Sequence, residues 1–296
     1  MEKAILKTLI YADIFDYPLT IFEIHKWLIG PPAGQARRKA TLRQVEKALN
    51  KLMVKGKVER VGGYCVLASR AGLVNKRGRR KKQSVIYLRK ALVLVQILKI
   101  VPWIKLVGIS GGLAMDNAEK RDDIDLFLVT AKNRLWISRI LSLGLLTLTG
   151  QRRKVRELNR FIAGKLCLNT LLEEDRLEQK SKDMYLAHEV LQMKVLWQRY
   201  GIYSKYLSDN EWAFKFLPNW TTSVTQNSNV KTQNYSSKLK TFDLVELLAR
   251  WLQLKLMKKP QGKERIEEGA LYFHPKDYRL QILETYKQKV KKIISP

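Results

Sequence analysis

The chain has 296 residues, with 56 Lys and Arg against 27 Asp and Glu, a formal net charge of +29. That length carries two or three domains with a real core. That charge predicts a polyanionic partner, most simply nucleic acid, with a generally basic proteome or an anionic membrane surface as the alternatives. Two distant cysteines, Cys65 and Cys167, exclude a disulfide framework and a zinc spacing, and His25, His188 and His274 are equally scattered. Such cysteine usage points to a reducing, cytoplasmic setting. No signal peptide is expected, because Asp13 and Asp16 interrupt the first apolar segment. No transmembrane helix is expected either. Gln96, Lys99, Pro102 and Lys105 break the run 91–109, and the run 140–149 is too short.

Ile5, Leu6, Leu9, Ile10 and Ile14 fall at helical spacing and predict a first helix over 3–15, stopped at Asp16-Tyr17-Pro18. Thr20 caps a second helix over 21–28, with Glu23 completing a capping box. Gly30-Pro31-Pro32-Ala33-Gly34 reads as a loop. Thr41 caps a third helix with Leu42, Val45, Leu49 and Leu52 on one face and Arg43, Lys47, Asn50 and Lys51 on the other. Gly56 closes it. Short strands over 57–61 and 64–67 flank Gly62-Gly63, a two-residue hairpin signal. Three helices and a hairpin resemble a winged helix-turn-helix domain over residues 1–75. The resemblance implies nucleic-acid contact by Arg43, Lys47, Asn50 and Lys51, since the third helix of that family enters the major groove. A protein-interaction or packing module is the alternative.

Six cations surround Gly78 between Lys76 and Lys82. Arg77, Arg79 and Arg80 are read as phosphate contacts, adding salt-sensitive affinity without sequence readout. A solvated linker between domains is the other reading. A helix over 84–100 then leads into an apolar strand over 104–109.

Ser110-Gly111-Gly112 is a small-residue turn, followed by a polar connection and then Asp123-Ile124-Asp125 at the head of an apolar run to Thr130. Side chains alternate across a strand, so Asp123 and Asp125 share one face while Ile124, Leu126 and Leu128 point to the other. Two carboxylates so placed, about 3–5 Å apart, suit a hard divalent cation. The glycines let backbone N–H groups approach phosphate oxygens. Solvated turn aspartates are the bland alternative.

This stretch resembles the nucleotidyltransferase superfamily that includes DNA polymerase beta, kanamycin nucleotidyltransferase and the minimal nucleotidyltransferases. Gly112 stands where that family usually has Ser, and Asp116 where a second glycine is common. The resemblance implies Mg2+ or Mn2+ held by Asp123 and Asp125. It implies a nucleoside triphosphate seated on Ser110, Gly111 and Gly112, and in-line attack of an acceptor hydroxyl on the α-phosphorus. It also implies a third carboxylate on a later strand. The matching position in the predicted strand over 165–172 is Asn169, whose amide can touch a metal but cannot act as a base. Glu173, Glu174 and Asp175 are alternatives if the register differs.

A helix is expected over 133–148, then a basic segment, Arg152, Arg153, Lys154, Arg156 and Arg160, suited to triphosphate, nucleic acid or plain solvation. Leu186, Val190, Met193 and Trp197 form the core stripe of a helix over 181–200, capped by Ser181. Helices are predicted over 203–216, 242–258 and 277–294, a flexible loop over 218–237, and a short extended segment over 271–275 where His274 is structural. The expected fold class is α+β: a nucleotidyltransferase-like mixed sheet with flanking helices over 76–180, an N-terminal winged helix, and a mainly helical region over 181–296. The expected function is transfer of a nucleoside monophosphate to an unknown acceptor. The alternative is a catalytically degenerate fold acting as a nucleic-acid-binding regulator.

Overall fold

The structure, a computed structural model, describes residues 1–30, 39–154, 162–221, 240–257, 265–273 and 278–294. Pro31 to Gly34, Arg156, Arg160, Lys258, His274, Asp277 and most of the segment 218–237 lie outside the described residues.

Helices α1 (Glu2–Ile14), α2 (Ile21–Lys26) and α3 (Leu42–Val54) pack with a small antiparallel sheet of β1 (Leu19–Thr20), β2 (Val58–Val61) and β3 (Tyr64–Leu67), in the order β1-β3-β2. Thr20 and Thr41 each accept a backbone N–H three residues on, and Glu23 and Gln44 reach back to complete two capping boxes. The turn between β2 and β3 uses Gly62 and Gly63, at φ +56° and +82°. Both values lie in the left-handed region that glycine enters freely. Ile5, Ile10, Ile24, Leu49 and Leu52 fill the core of this unit.

Next comes α4 (Leu73–Leu98), one continuous helix. Sequence reading places a linker at 76–82 and a helix from Ser84. The helix instead begins before the cationic run, three of whose cations pair with acids distant in sequence. Asp16 takes Arg70 and Lys76, Glu23 takes Arg77, and Glu119 takes Arg80.

A second, six-stranded sheet has the order β7-β4-β5-β6-β9-β8. Its strands are β4 (Ile104–Ile109), β5 (Ile124–Thr130), β6 (Leu166–Glu173), β7 (Lys194–Gln198), β8 (Arg265–Glu267) and β9 (Ala270–Tyr272). Among the described strands β5 and β6 run parallel and the other pairs antiparallel, making a mixed sheet. Between them lie α5 (Gly111–Ala114), α6 (Leu135–Leu148), α7 (Met184–Gln192), α8 (Ile202–Asp209), a 3-10 helix over Glu211–Lys215, and α9 (Lys240–Leu256). Residues 194–198, read as the end of a helix, form β7 against β4. Asp183, not Ser181, caps α7, its carboxylate accepting from Leu186 N–H.

Ile124, Leu126 and Leu128 of β5 pack with α4, α6 and α9 on one face of the sheet. Phe127 and Val129 face α7, α8 and the 3-10 helix on the other. Asp125 shares the parity of Phe127, so it opens toward α7. Helix α10 (Arg279–Ile294) returns to α1, where Val290 and Ile293 cover the N-terminal core. Among the described residues, no helix is long and apolar enough to cross a membrane.

Candidate active site

Strand β4 delivers the chain to Ser110, whose backbone N–H donates to Asp125 C=O at 3.2 Å. Gly111 then turns at φ +65°, a conformation that side chains seldom adopt. A Cβ there would lie 3.5 Å from Asp125 Oδ2, so the backbone of Gly111 approaches the carboxylate directly. At Gly112 the nearest atom to an added Cβ is Asn117 O, at 3.6 Å. The turn is fixed from behind by Asn117, whose N–H donates to Gly112 C=O at 2.8 Å and whose side-chain amide donates to Phe15 C=O at 3.0 Å.

One oxygen of Asp123, one of Asp125 and Cys167 Sγ all lie within 4.8 Å of one another. Cys167 is there because β5 and β6 run parallel with Asp125 paired to Cys167. The register then slips, Leu126 pairing with Leu168 and Phe127 with Thr170, so Asn169 is the extra residue of a bulge. The sequence reading matched Asn169 to the place beside the aspartates. The residue of β6 opposite Asp125 is Cys167, two positions before Asn169. Asn169 is buried, and its amide oxygen has no hydrogen-bond partner. Glu173, Glu174 and Asp175 serve elsewhere. Glu173 accepts backbone N–H groups at the start of α6, Glu174 takes Lys105, and Asp175 takes Lys132.

Burial, then the charge of Asp123, pushes the Asp125 carboxyl up to about 8. Burial likewise pushes the Cys167 thiol up to about 12. The donor set is therefore two hard oxygens and a neutral thiol. It fits a divalent cation through the carboxylates, with the thiol adding little for Mg2+ and more for a softer ion. Arg153 Nη1 already lies 2.5 Å from Asp123 Oδ2. Its backbone N–H is bonded to Leu166 C=O at 2.9 Å, which places the guanidinium at the head of β6. Arg153 thus brings a cation of the basic segment onto Asp123.

Sequence reasoning missed Glu189 on α7. Its carboxylate accepts the Gly111 N–H and the amide of Gln192, and burial pushes it up to about 7. Its charge is also one of those that raise Asp125. No local pattern marks it, since it sits beside the core stripe of an ordinary amphipathic helix. Gly111, Gly112 and Glu189 line a cavity of about 460 Å³, bounded further by Tyr11, Phe15 and Trp27 from the N-terminal unit and by residues of α10. Asp123 and Asp125 are not among its lining residues; they lie behind the glycine turn. His188, also on the cavity wall, stacks on Tyr11 with centroids 4.0 Å apart. Its Nδ1 lies 2.9 Å from Met184 C=O, and burial pulls the ring down to about 4, so it is neutral at ordinary pH.

The expected nucleic-acid contacts divide. Arg43, Lys47, Asn50 and Lys51 are all exposed on α3, and Arg79 is exposed on α4. Arg77 is not available: it is 3% exposed, bonded to Glu23 and centred 3.5 Å above the Tyr17 ring. Arg80 is taken by Glu119 and the carbonyl of Phe15. Both were expected to meet phosphate. Instead they fasten α4 to the N-terminal unit.

No protein-family model matches the chain, and neither a curated protein nor a solved structure matches it.

Proposed function

We propose that this protein is a nucleotidyltransferase that moves a nucleoside monophosphate from a nucleoside triphosphate to an acceptor hydroxyl. The observation that carries the reading is the Asp123–Asp125 pair set directly behind the left-handed Gly111 turn, with Glu189 on the turn's other side. The element order α4-β4-α5-β5-α6-β6-α7, with β4 antiparallel and β6 parallel to β5, supports the superfamily resemblance carried by the motif. In the N-terminal unit, three helices and a β1-β3-β2 sheet support a winged helix with α3 as its exposed, basic third helix.

In this reading Asp123 and Asp125 hold Mg2+ or Mn2+, which would supply charge neutralisation on the triphosphate. Gly111 and Gly112 offer backbone N–H groups to phosphate oxygens. Glu189 lets go of the Gly111 N–H as phosphate arrives. With its affinity for a proton near neutrality, it is placed to accept the proton of the acceptor hydroxyl. The aromatic cavity seats the organic part of nucleotide or acceptor, and the rest of the rate enhancement comes from positioning.

A second reading is favoured by one observation: Arg153 on Asp123, together with a thiol rather than a carboxylate on β6. An internal cation in that place suits a fold that keeps phosphate binding and has lost transfer, working as a nucleic-acid-binding regulator. The deciding experiment incubates the protein with labelled nucleoside triphosphates, Mg2+ or Mn2+, and total cell RNA or lysate. Transferred label that disappears in Asp123→Asn supports the enzyme. No transfer with any acceptor, alongside retained nucleotide binding, supports the regulator.

A further inference from the structure

Helix α9 carries apolar side chains on both of its sides. The inner side is pinned by polar contacts. The buried Glu246 carboxylate accepts the Trp136 and Ile137 N–H groups at the start of α6, at 2.7 and 2.9 Å. Gln253 accepts from Arg139 and donates to Trp136 C=O. Turning α9 to bury its other side would pull both from these bonds, so the outer side stays outside. There Leu244, Leu247, Leu248, Trp251, Leu252 and Leu256 are between 46% and 77% exposed. Among these leucines the exposed charge is Lys255, whose Nζ lies 5.0 Å from the Trp251 ring; Arg250 lies round the helix, in a pocket with Asp243, Glu246, Glu267 and Glu268. The neighbouring helix α6 contains no acid.

An exposed leucine face of this size calls for a partner. A second copy of the chain would set cations against cations on a molecule already at +29. Nucleic acid would answer the charge but leave the leucines in water. An anionic bilayer answers both: leucines enter the acyl boundary, the indole sits at the headgroups, and Lys255 beside it meets lipid phosphate. We propose that the outer face of α9 is a docking surface for an anionic lipid bilayer, on which the helix lies parallel to the surface. This proposal does not depend on the nucleotidyl-transfer reading.

The test is co-sedimentation of the full chain with vesicles of phosphatidylcholine alone and of phosphatidylcholine mixed with phosphatidylglycerol, over a range of salt. The basic surface alone attracts anionic vesicles, so the decisive variant leaves charge unchanged: Leu248→Gln with Trp251→Gln. It should fold as the wild type does, because both side chains are exposed. If it does not, Leu244→Gln with Leu256→Gln on the same outer side takes its place. Expected are binding to the mixed vesicles, a fraction that survives high salt, and a loss of about tenfold or more in the variant. Three results overturn the proposal. One is equal vesicle affinity of variant and wild type. Another is a dimer by light scattering that the substitution dissolves. The third is weakened binding to a nucleic-acid duplex with vesicle binding intact.

Discussion

The carboxylate of Glu189 accepts the backbone N–H of Gly111, the same N–H that the sequence offers to a phosphate. An anion-binding donor is thus paired with an internal carboxyl group while no phosphate is present. Glu189→Gln keeps the shape and removes the charge. Transfer should fall by at least about 10²-fold through loss of the base, while nucleotide affinity should hold or rise as repulsion is relieved. Steady-state kinetics separates the two effects; an unchanged rate removes Glu189 from the chemistry.

Asp123→Asn should abolish transfer at modest cost to folding. The carboxylate is paired with Arg153, and an amide oxygen keeps one weaker hydrogen bond to that guanidinium. A loss of about 1–3 kcal/mol in urea denaturation is expected. Retained transfer would remove this aspartate from the site.

Cys167→Asp and Asn169→Asp tell the two registers apart. Cys167 lies within reach of both aspartates, so a carboxylate there should raise Mn2+ affinity by about tenfold in calorimetry. It should also lower metal-free stability, because a third buried carboxylate joins two others. Asn169→Asp should lower stability with no gain in metal affinity, since it places a charge on a buried bulge. A metal gain at Asn169 alone would reverse the assignment.

His188 and Glu189 pull the pH dependence of stability in opposite directions. His188 is lowered from 6.5 to about 4 by burial, so across that window the unfolded chain binds the extra proton. Its stabilisation is lost as pH falls. Glu189 is raised from 4.5 to about 7 by burial, so across that window the folded chain holds the extra proton. Its stabilisation is lost as pH rises. Glu189→Gln should therefore make the slope of stability against pH between 4.5 and 6.5 more positive than in the wild type, by at most about 1.4 kcal/mol per pH unit, with the falling contribution of Asp125 left in both. Urea titrations of metal-free protein across this range measure it.

The cations of 76–82 should separate into two groups. Arg77→Met takes a cation from Glu23, which keeps its bonds from Thr20, and removes a guanidinium stacked on Tyr17, at a cost of about 1–3 kcal/mol. Neutralising Arg79, Lys81 and Lys82, all exposed, should leave stability within about 0.5 kcal/mol. It should also flatten the salt dependence of any nucleic-acid binding, as should neutralising Arg43, Lys47 and Lys51. An unchanged salt slope in both sets would remove nucleic acid as the partner.

Much of the candidate site lies in one short stretch and was legible because its spacing is local. Alternation alone put Asp123 and Asp125 on one face, and the glycines marked the turn between β4 and β5. What escaped depends on residues distant in sequence. The bulge that puts Cys167 rather than Asn169 beside Asp125 exists only in the pairing of β5 with β6. The stripe Leu186, Val190, Met193 and Trp197 fits a helix, yet residues 194–198 bond to β4 and become a strand; edge pairing overrode periodicity there. The basic run looked solvated because its acids, Asp16, Glu23 and Glu119, lie elsewhere in the chain.

The ion pair between Lys289 and Asp13, at 2.6 Å, joins residues 276 positions apart. It belongs to the seam where α10 lies along α1 and closes the N-terminal core with Val290 and Ile293. During synthesis the first three helices emerge early, but their core has an open flank until residues 279–294 leave the ribosome. That core is made before α10 but completed only after it, and chains interrupted before α10 leave that flank exposed to chaperones and proteases.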